Sequence, residues 1–165
     1  MTDVFISHPT PFNKNQTDFL KLIDEKLEKH HLNPTNLGKN NWNYQKPLKP
    51  IKELIIKCKG AIIIGLERHH SFIGYDKEGA SNRNDKVELV HKYTSTPWIQ
   101  IEAGMAYQAG IPLLVLKEKK VFAEGILDPN NSDSYIFEFE LEKNCKKLSS
   151  PMEKIIESWI HEIPI

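Results

Sequence analysis

Apolar positions along the chain follow two alternating patterns, short unbroken runs and longer stretches spaced at three and four residues. Val4-Phe5-Ile6-Ser7 is a run too brief for a helix, ended by His8-Pro9, and it reads as a buried strand. After a turn-rich stretch from Pro9 to Asn15, Phe19, Ile23 and Leu27 recur every four residues with Leu20 beside them, so an amphipathic helix runs to about Lys29. Leu32 to Leu37 holds a short second strand, and Gly38 to Pro47 is a polar, asparagine-rich loop that carries Trp42 and Tyr44. Pro50 opens a helix that aligns Ile51, Leu54, Ile55 and Cys58 on one face, and Gly60 closes it. Ala61 to Leu66 follows without a polar residue. A strand lacking polar alternation is buried on both faces, the mark of a parallel sheet covered by helices, and Leu113 to Leu116 repeats it.

The stretch Ser95-Thr96-Pro97-Trp98 predicts a helix start, because proline suits the first turn and Ser95 or Thr96 can cap the free amides. Trp98, Ile101, Glu102, Met105, Ala106 and Ala109 then share one face by spacing, and Gly110 followed by Pro112 ends the helix. Tyr135 to Leu141 alternates, with Phe137, Phe139 and Leu141 opposite Glu138 and Glu140, as an edge strand does. Ser150-Pro151-Met152-Glu153 has the form of a capping box, and Met152, Ile155, Ile156 and Trp159 give the last helix its apolar stripe. This order predicts an α/β fold: a flavodoxin-like open parallel sheet with helices on both faces, as one domain over residues 1–165. Glu67 to Ser95 is mostly polar and long for a loop inside a compact domain. It is expected to be an insert or lid ahead of the Glu102 helix.

At 165 residues, with 39% hydrophobic and 27% charged side chains, the chain is long enough to bury a real core. Its 22 basic residues balance 22 acidic ones, which leaves no electrostatic footprint for nucleic acid or an anionic membrane. Cys58 and Cys145 lack metal-ligand spacing and suit a reducing compartment. With no signal-peptide pattern and no run of about 18 apolar residues, a cytoplasmic location is expected. His69, His70 and His91 are not expected to bind metal, since adjacent histidines do not easily share one ion and no Cys or Asp spacing completes the set. Dinucleotide, P-loop and nucleophile-elbow motifs are missing, so no cofactor is expected beyond the substrate itself.

Glu102 is the chemically informative residue. A carboxylate on or beside an apolar helix face must be paired, protonated or turned to a cleft, because burying an unpaired charge is costly. The ordinary alternative is a structural bond to a neighbouring loop or to an arginine.

These segments resemble a Toll/interleukin-1 receptor (TIR) domain of the bacterial kind, related to the nucleoside 2-deoxyribosyltransferase-like superfamily. Val4 to His8 resembles the family's opening strand, Ile51 to Ile64 its middle helix and following strand, and Thr96-Pro97-Trp98 through Glu102 its Ser/Thr-x-Trp-x-x-x-Glu motif. The resemblance implies an NAD glycohydrolase or cyclase that cleaves the nicotinamide–ribose bond. NAD is then a substrate, Glu102 is catalytic, and the setting is bacterial antiphage defence, with self-association and a partner defence protein. A second resemblance is to the nucleoside 2-deoxyribosyltransferases themselves, through Glu102-Ala103-Gly104-Met105-Ala106 and Gly110-Ile111-Pro112. It breaks upstream, where that family has Asp-x-Gly-Thr and this chain has Thr94-Ser95-Thr96-Pro97-Trp98. The third reading is a non-catalytic TIR-like module that binds a nucleotide.

Both enzymatic resemblances converge on an N-glycosidic bond and on Glu102. Breaking that bond builds positive charge on the ribose, which a carboxylate can stabilise or attack. Ser7 and His8 end the first strand and are candidates for the ribose or pyrophosphate. Arg68 follows the Ala61 to Leu66 strand and is a candidate for a phosphate or for Glu102. Trp98 is a candidate wall against the nicotinamide or ribose, with core packing as the alternative. Trp42 is a candidate for stacking on substrate or for anchoring a second copy in a homo-oligomer.

Overall fold

In chain order the elements are β1 (Thr2–Ser7), α1 (Lys14–Lys29), β2 (Leu32–Thr35), α2 (Leu48–Lys57), β3 (Ala61–Gly65), β4 (His69–Asp76), β5 (Val87–Thr94), α3 (Pro97–Gln108), β6 (Leu113–Glu118), β7 (Ile136–Phe139) and α4 (Ser150–His161). They come from a computed structural model that describes residues 1–37, 48–130 and 133–164. The expected Gly38 to Pro47 loop, with Trp42 and Tyr44, lies outside the described residues.

The unbroken apolar runs pair with one another. The sheet has five strands in the order β2-β1-β3-β6-β7, all parallel. This is the α/β, flavodoxin-like arrangement that the pattern predicts. The chain starts in β1, moves out to β2, then returns past β1 to β3 and continues to the other edge, so the winding reverses between β1 and β3.

Strand alternation sorts side chains to two helical layers. Val4, Ile6, Ile62, Ile64, Leu114 and Leu116 pack with α1 and α4 through Phe19, Ile23, Leu27, Met152, Ile156 and Trp159. On the opposite face Phe5 and Ala61 meet Ile51 and Ile55 of α2, while Ile63 and Val115 meet Ile99 and Ala103 of α3. The edge strand β7 turns Phe139 inward, where it stacks on Phe19 with ring centroids 4.6 Å apart. Burial holds the Cys58 thiol at about 12, first by desolvation and then through Asp3, so it stays protonated and inert.

Three local expectations need correction. Glu67 to Ser95 is not a loop: most of it is the antiparallel hairpin β4–β5. Its base is tied to the body where Arg68 N–H donates to Thr94 O at 2.9 Å and Phe122 N–H to Tyr93 O at 2.8 Å. The signal was present in Val87-Glu88-Leu89-Val90-His91-Lys92-Tyr93-Thr94, rich in strand formers, but a ribbon with no core behind it lacks the apolar run that marks a central strand. Second, α3 buries Ile99, Ala103 and Ala106, whereas Trp98 and Ile101 are each 41% exposed. The buried line is rotated from the expected stripe because small Ala103 and Ala106 let the helix lie close on the sheet. Third, the N-cap of α4 lies one residue before the expected one, Ser150. Ser149 is the N-cap, makes no side-chain capping bond, and offers only its carbonyl, to Glu153 N–H at 2.9 Å.

Candidate active site

Ser7 ends β1 at the reversal of winding, and α3 descends onto the sheet beside it. Thr96 caps α3 by accepting from Trp98 N–H at 3.4 Å, and Pro97 occupies the first turn. Gly110, at φ +68°, ends the helix in the left-handed conformation that glycine adopts freely. With Ile99 and Ala103 seated on Ile63 and Val115, Glu102 projects along the flank of α3 toward β1. There Ser7 Oγ, on a residue only 1% exposed, donates to Glu102 Oε2.

Burial raises the Glu102 carboxyl above the ordinary carboxylate range, and the Ser7 hydroxyl partly offsets this by favouring the ionised form. Among the described residues no ion pair reaches Glu102. The structural alternative of an arginine holding Glu102 is therefore not what these residues form. A half-buried carboxylate aligned by one hydroxyl can accept a proton, stabilise a cation or attack an electrophile.

His8 stands next to Ser7, with Nδ1 2.8 Å from Pro9 O and Nε2 3.4 Å from Asn36 Nδ2. Arg68 and Trp98 are placed differently. Arg68 lines a cleft of about 760 Å³ together with His69, Ser95, Thr96, Pro97 and Gln100, a lining that does not include Ser7 or Glu102. Gln100 closes that cleft: its Oε1 accepts from Ile126 N–H at 2.8 Å and its Nε2 donates to Glu124 O at 3.1 Å. The adjoining Gly125, at φ +56°, leaves no room for a side chain, since a Cβ would stand 2.3 Å from Gln100 Oε1. Trp98 is 41% exposed and is not part of the core. Trp42 lies outside the described residues.

No protein-family model matches the sequence, and no curated protein sequence matches it. Solved structures share its fold. Among them is the Clostridium botulinum CMP N-glycosidase BcmB, similar at a TM-score of 0.55 with 13% sequence identity over 95% of this chain and 99% of that one. At such low identity the likeness is one of architecture, and it extends over almost the whole of both chains.

The strand ends of this shared architecture carry polar residues that the sequence reading missed. Gln16, 1% exposed, accepts from Phe12 N–H at 3.1 Å and donates to Glu67 O at 2.8 Å, tying the turn after β1 to the end of β3. Glu118 accepts from Glu67 N–H at 2.8 Å, and Lys120 pairs with both carboxylates. Desolvation pulls the Lys120 ammonium down, but Glu67 and Glu118 outweigh it and hold it above its usual value. Gln16 sits four residues before Leu20 on an otherwise standard amphipathic stripe, and nothing local marks a buried glutamine there. Among the described residues no helix is long and apolar enough to cross a membrane.

Proposed function

We propose that this protein cleaves the N-glycosidic bond of a nucleotide, with Glu102 as the carboxylate that meets positive charge developing on C1 of the ribose. The observation that carries the reading is the Ser7–Glu102 pair at the reversal of the sheet winding, the place where open α/β sheets bind ligands. Its support from outside the chain is the shared fold of a CMP N-glycosidase. As the C1–N bond breaks, its electron pair leaves with the base and the ribose becomes oxocarbenium-like. Glu102 stabilises that cation or forms a transient ester with C1. Water then supplies a hydroxyl to C1, and its remaining proton goes to the departing base or to solvent. Ser7 is the positioning residue, orienting the carboxylate and biasing it toward the ionised state.

For the substrate we propose NAD. The Thr96 to Glu102 motif supports this choice, and nicotinamide leaves as a neutral base once its electron pair returns, without needing an acid. Antiphage defence through NAD depletion, with a partner defence protein, is the role that the TIR resemblance adds. The competing substrate is a pyrimidine nucleotide such as CMP, favoured by the similar structure. Incubating the purified protein separately with NAD, CMP and deoxynucleosides, and measuring free nicotinamide or free base by chromatography, decides among them. Release from none of the three would leave a binding module without catalysis.

Two expected results test the parts of this site. Ser7→Ala removes the one influence that lowers the Glu102 carboxyl, so the acid limb of the pH–rate profile should move to higher pH. An unmoved acid limb would show that Ser7 does not act on the ionised carboxylate. The β4–β5 hairpin, whose base walls the cleft through Arg68, His69 and Thr94, is proposed as its cover. Its backbone amides should exchange more slowly with a substrate analogue bound, and equal rates in both states would reduce it to an inert insert.

A further inference from the structure

The cleft of about 760 Å³ at the base of the β4–β5 hairpin carries polar groups that the Ser7–Glu102 pair does not use. Arg68 borders it, and among the described residues its guanidinium makes no ion pair or hydrogen bond. The segment Thr94-Ser95-Thr96, also in the lining, brings three hydroxyls in a row. Thr96 Oγ accepts from Trp98 N–H and still has its own proton to donate. Ser95 Oγ is the one buried side-chain polar atom among the described residues that has no hydrogen-bond partner. Interiors rarely leave a hydroxyl in that state, because the bonds it gave up to water are not replaced. The acidic side chain of the lining, Glu124, stands 3.6 Å from Lys92 Nζ, so its charge is offset and Arg68 is left uncompensated. The helix start itself offers little: Pro97 has no N–H, Trp98 N–H goes to Thr96 Oγ, and Ile99 N–H to Thr96 O at 3.3 Å. The donors that remain are side chains.

We propose that this cleft is a second binding site, which takes the phosphate group of a small phosphorylated metabolite on Arg68, Ser95 and Thr96. The donor set suits a phosphomonoester. A guanidinium matches two phosphate oxygens as a bidentate pair and leaves the third for the hydroxyls. The volume is more than a bare phosphate fills, and Pro97 and Leu127 give the organic remainder an apolar wall. The site is separate from the catalytic pair. Gln100 lines the cleft while Glu102 faces Ser7, and at about 100° per residue these two side chains leave α3 on nearly opposite flanks. Leu127 packs beside Val115 of β6, which stands two strands from β1 in the sheet, about 10 Å away. Binding in the cleft therefore does not depend on which bond Glu102 cleaves.

Titration of the full chain with glycerol phosphate, followed by calorimetry and by amide correlation spectra, tests the site. Amide shifts should centre on Ser95, Thr96 and Gly125 and leave Ser7 unmoved, and glycerol at the same concentration should give none. Arg68→Met should raise the dissociation constant by at least about tenfold and Ser95→Ala by at least about threefold, whereas Glu102→Gln should leave it within a factor of about two. Circular dichroism confirms that each variant is folded. Because Ser95→Ala also removes the unpaired hydroxyl, that variant should be no less stable than wild type without ligand. The proposal is overturned by any of four results: no saturable binding, shifts centred on Ser7, affinity that survives both Arg68→Met and Ser95→Ala, or affinity that is lost in Glu102→Gln.

Discussion

Glu102→Gln should lower turnover by at least about 10³-fold, equivalent to about 4 kcal/mol of transition-state stabilisation, while the protein stays folded. The amide keeps the shape of the carboxylate and can still face the Ser7 hydroxyl, but it brings no negative charge to a cationic ribose. Retention of activity within a factor of about ten would mean that Glu102 does not stabilise the transition state. The same variant carries a stability signature of the opposite sign. Because burial raises the Glu102 carboxyl in the folded state, the native protein holds a proton there that the unfolded chain has already lost. Native stability therefore falls as pH rises from the ordinary carboxylate range through the raised value of Glu102. Chemical denaturation at neutral pH should show Glu102→Gln at least as stable as wild type, and the advantage should vanish in acid. A variant less stable than wild type at neutral pH would make Glu102 a structural residue.

Ile99→Ala should destabilise the fold by about 3 kcal/mol and lower the melting temperature by about 6–12 °C. Ile99 is fully buried between α3, Ile63 and Val115, so truncation removes apolar contact and leaves a cavity that a β-sheet floor cannot collapse to fill. Activity should fall as well, at temperatures where the variant is still folded. Ile99 is the residue that seats α3, and a tilted α3 carries Glu102 away from Ser7. A loss below about 1 kcal/mol, measured by denaturant titration, would mean that Leu127 and Val121 close over the gap and that the seating of α3 does not depend on Ile99.

The candidate site also explains where the chain departs from locally ideal choices. Gln16 is a buried amide in an apolar stripe, and Glu118 is a carboxylate 4% exposed at the end of a central strand. Each departure occurs on an element that frames the ends of β1, β3 and β6. Natural sequences accept local penalties where geometry serves a function.

By itself the sequence determined the layers of this protein. Unbroken runs such as Ala61 to Leu66 and Leu113 to Leu116 can be satisfied only by strands buried on both faces, and the four-residue spacing of Phe19, Ile23 and Leu27 only by a helix laid along them. Proline at the first turn and glycine past the last one set the limits of α3, because their effects are local to the backbone. Glu102 and Ser7 were visible as candidates for the same reason, as a carboxylate on an apolar helix and a hydroxyl at a strand end. Only the tertiary structure decided that they meet, since 95 residues separate them and their contact depends on how α3 seats on Ile63 and Val115. The rotation of α3 that exposes Trp98 and Ile101 was likewise undecided locally: a helix with apolar residues all round has no preferred face until small residues such as Ala103 and Ala106 find the sheet. The hairpin β4–β5 and the bond from Gln16 to Glu67 were settled by pairing between distant segments, and no periodicity within one segment reports on that.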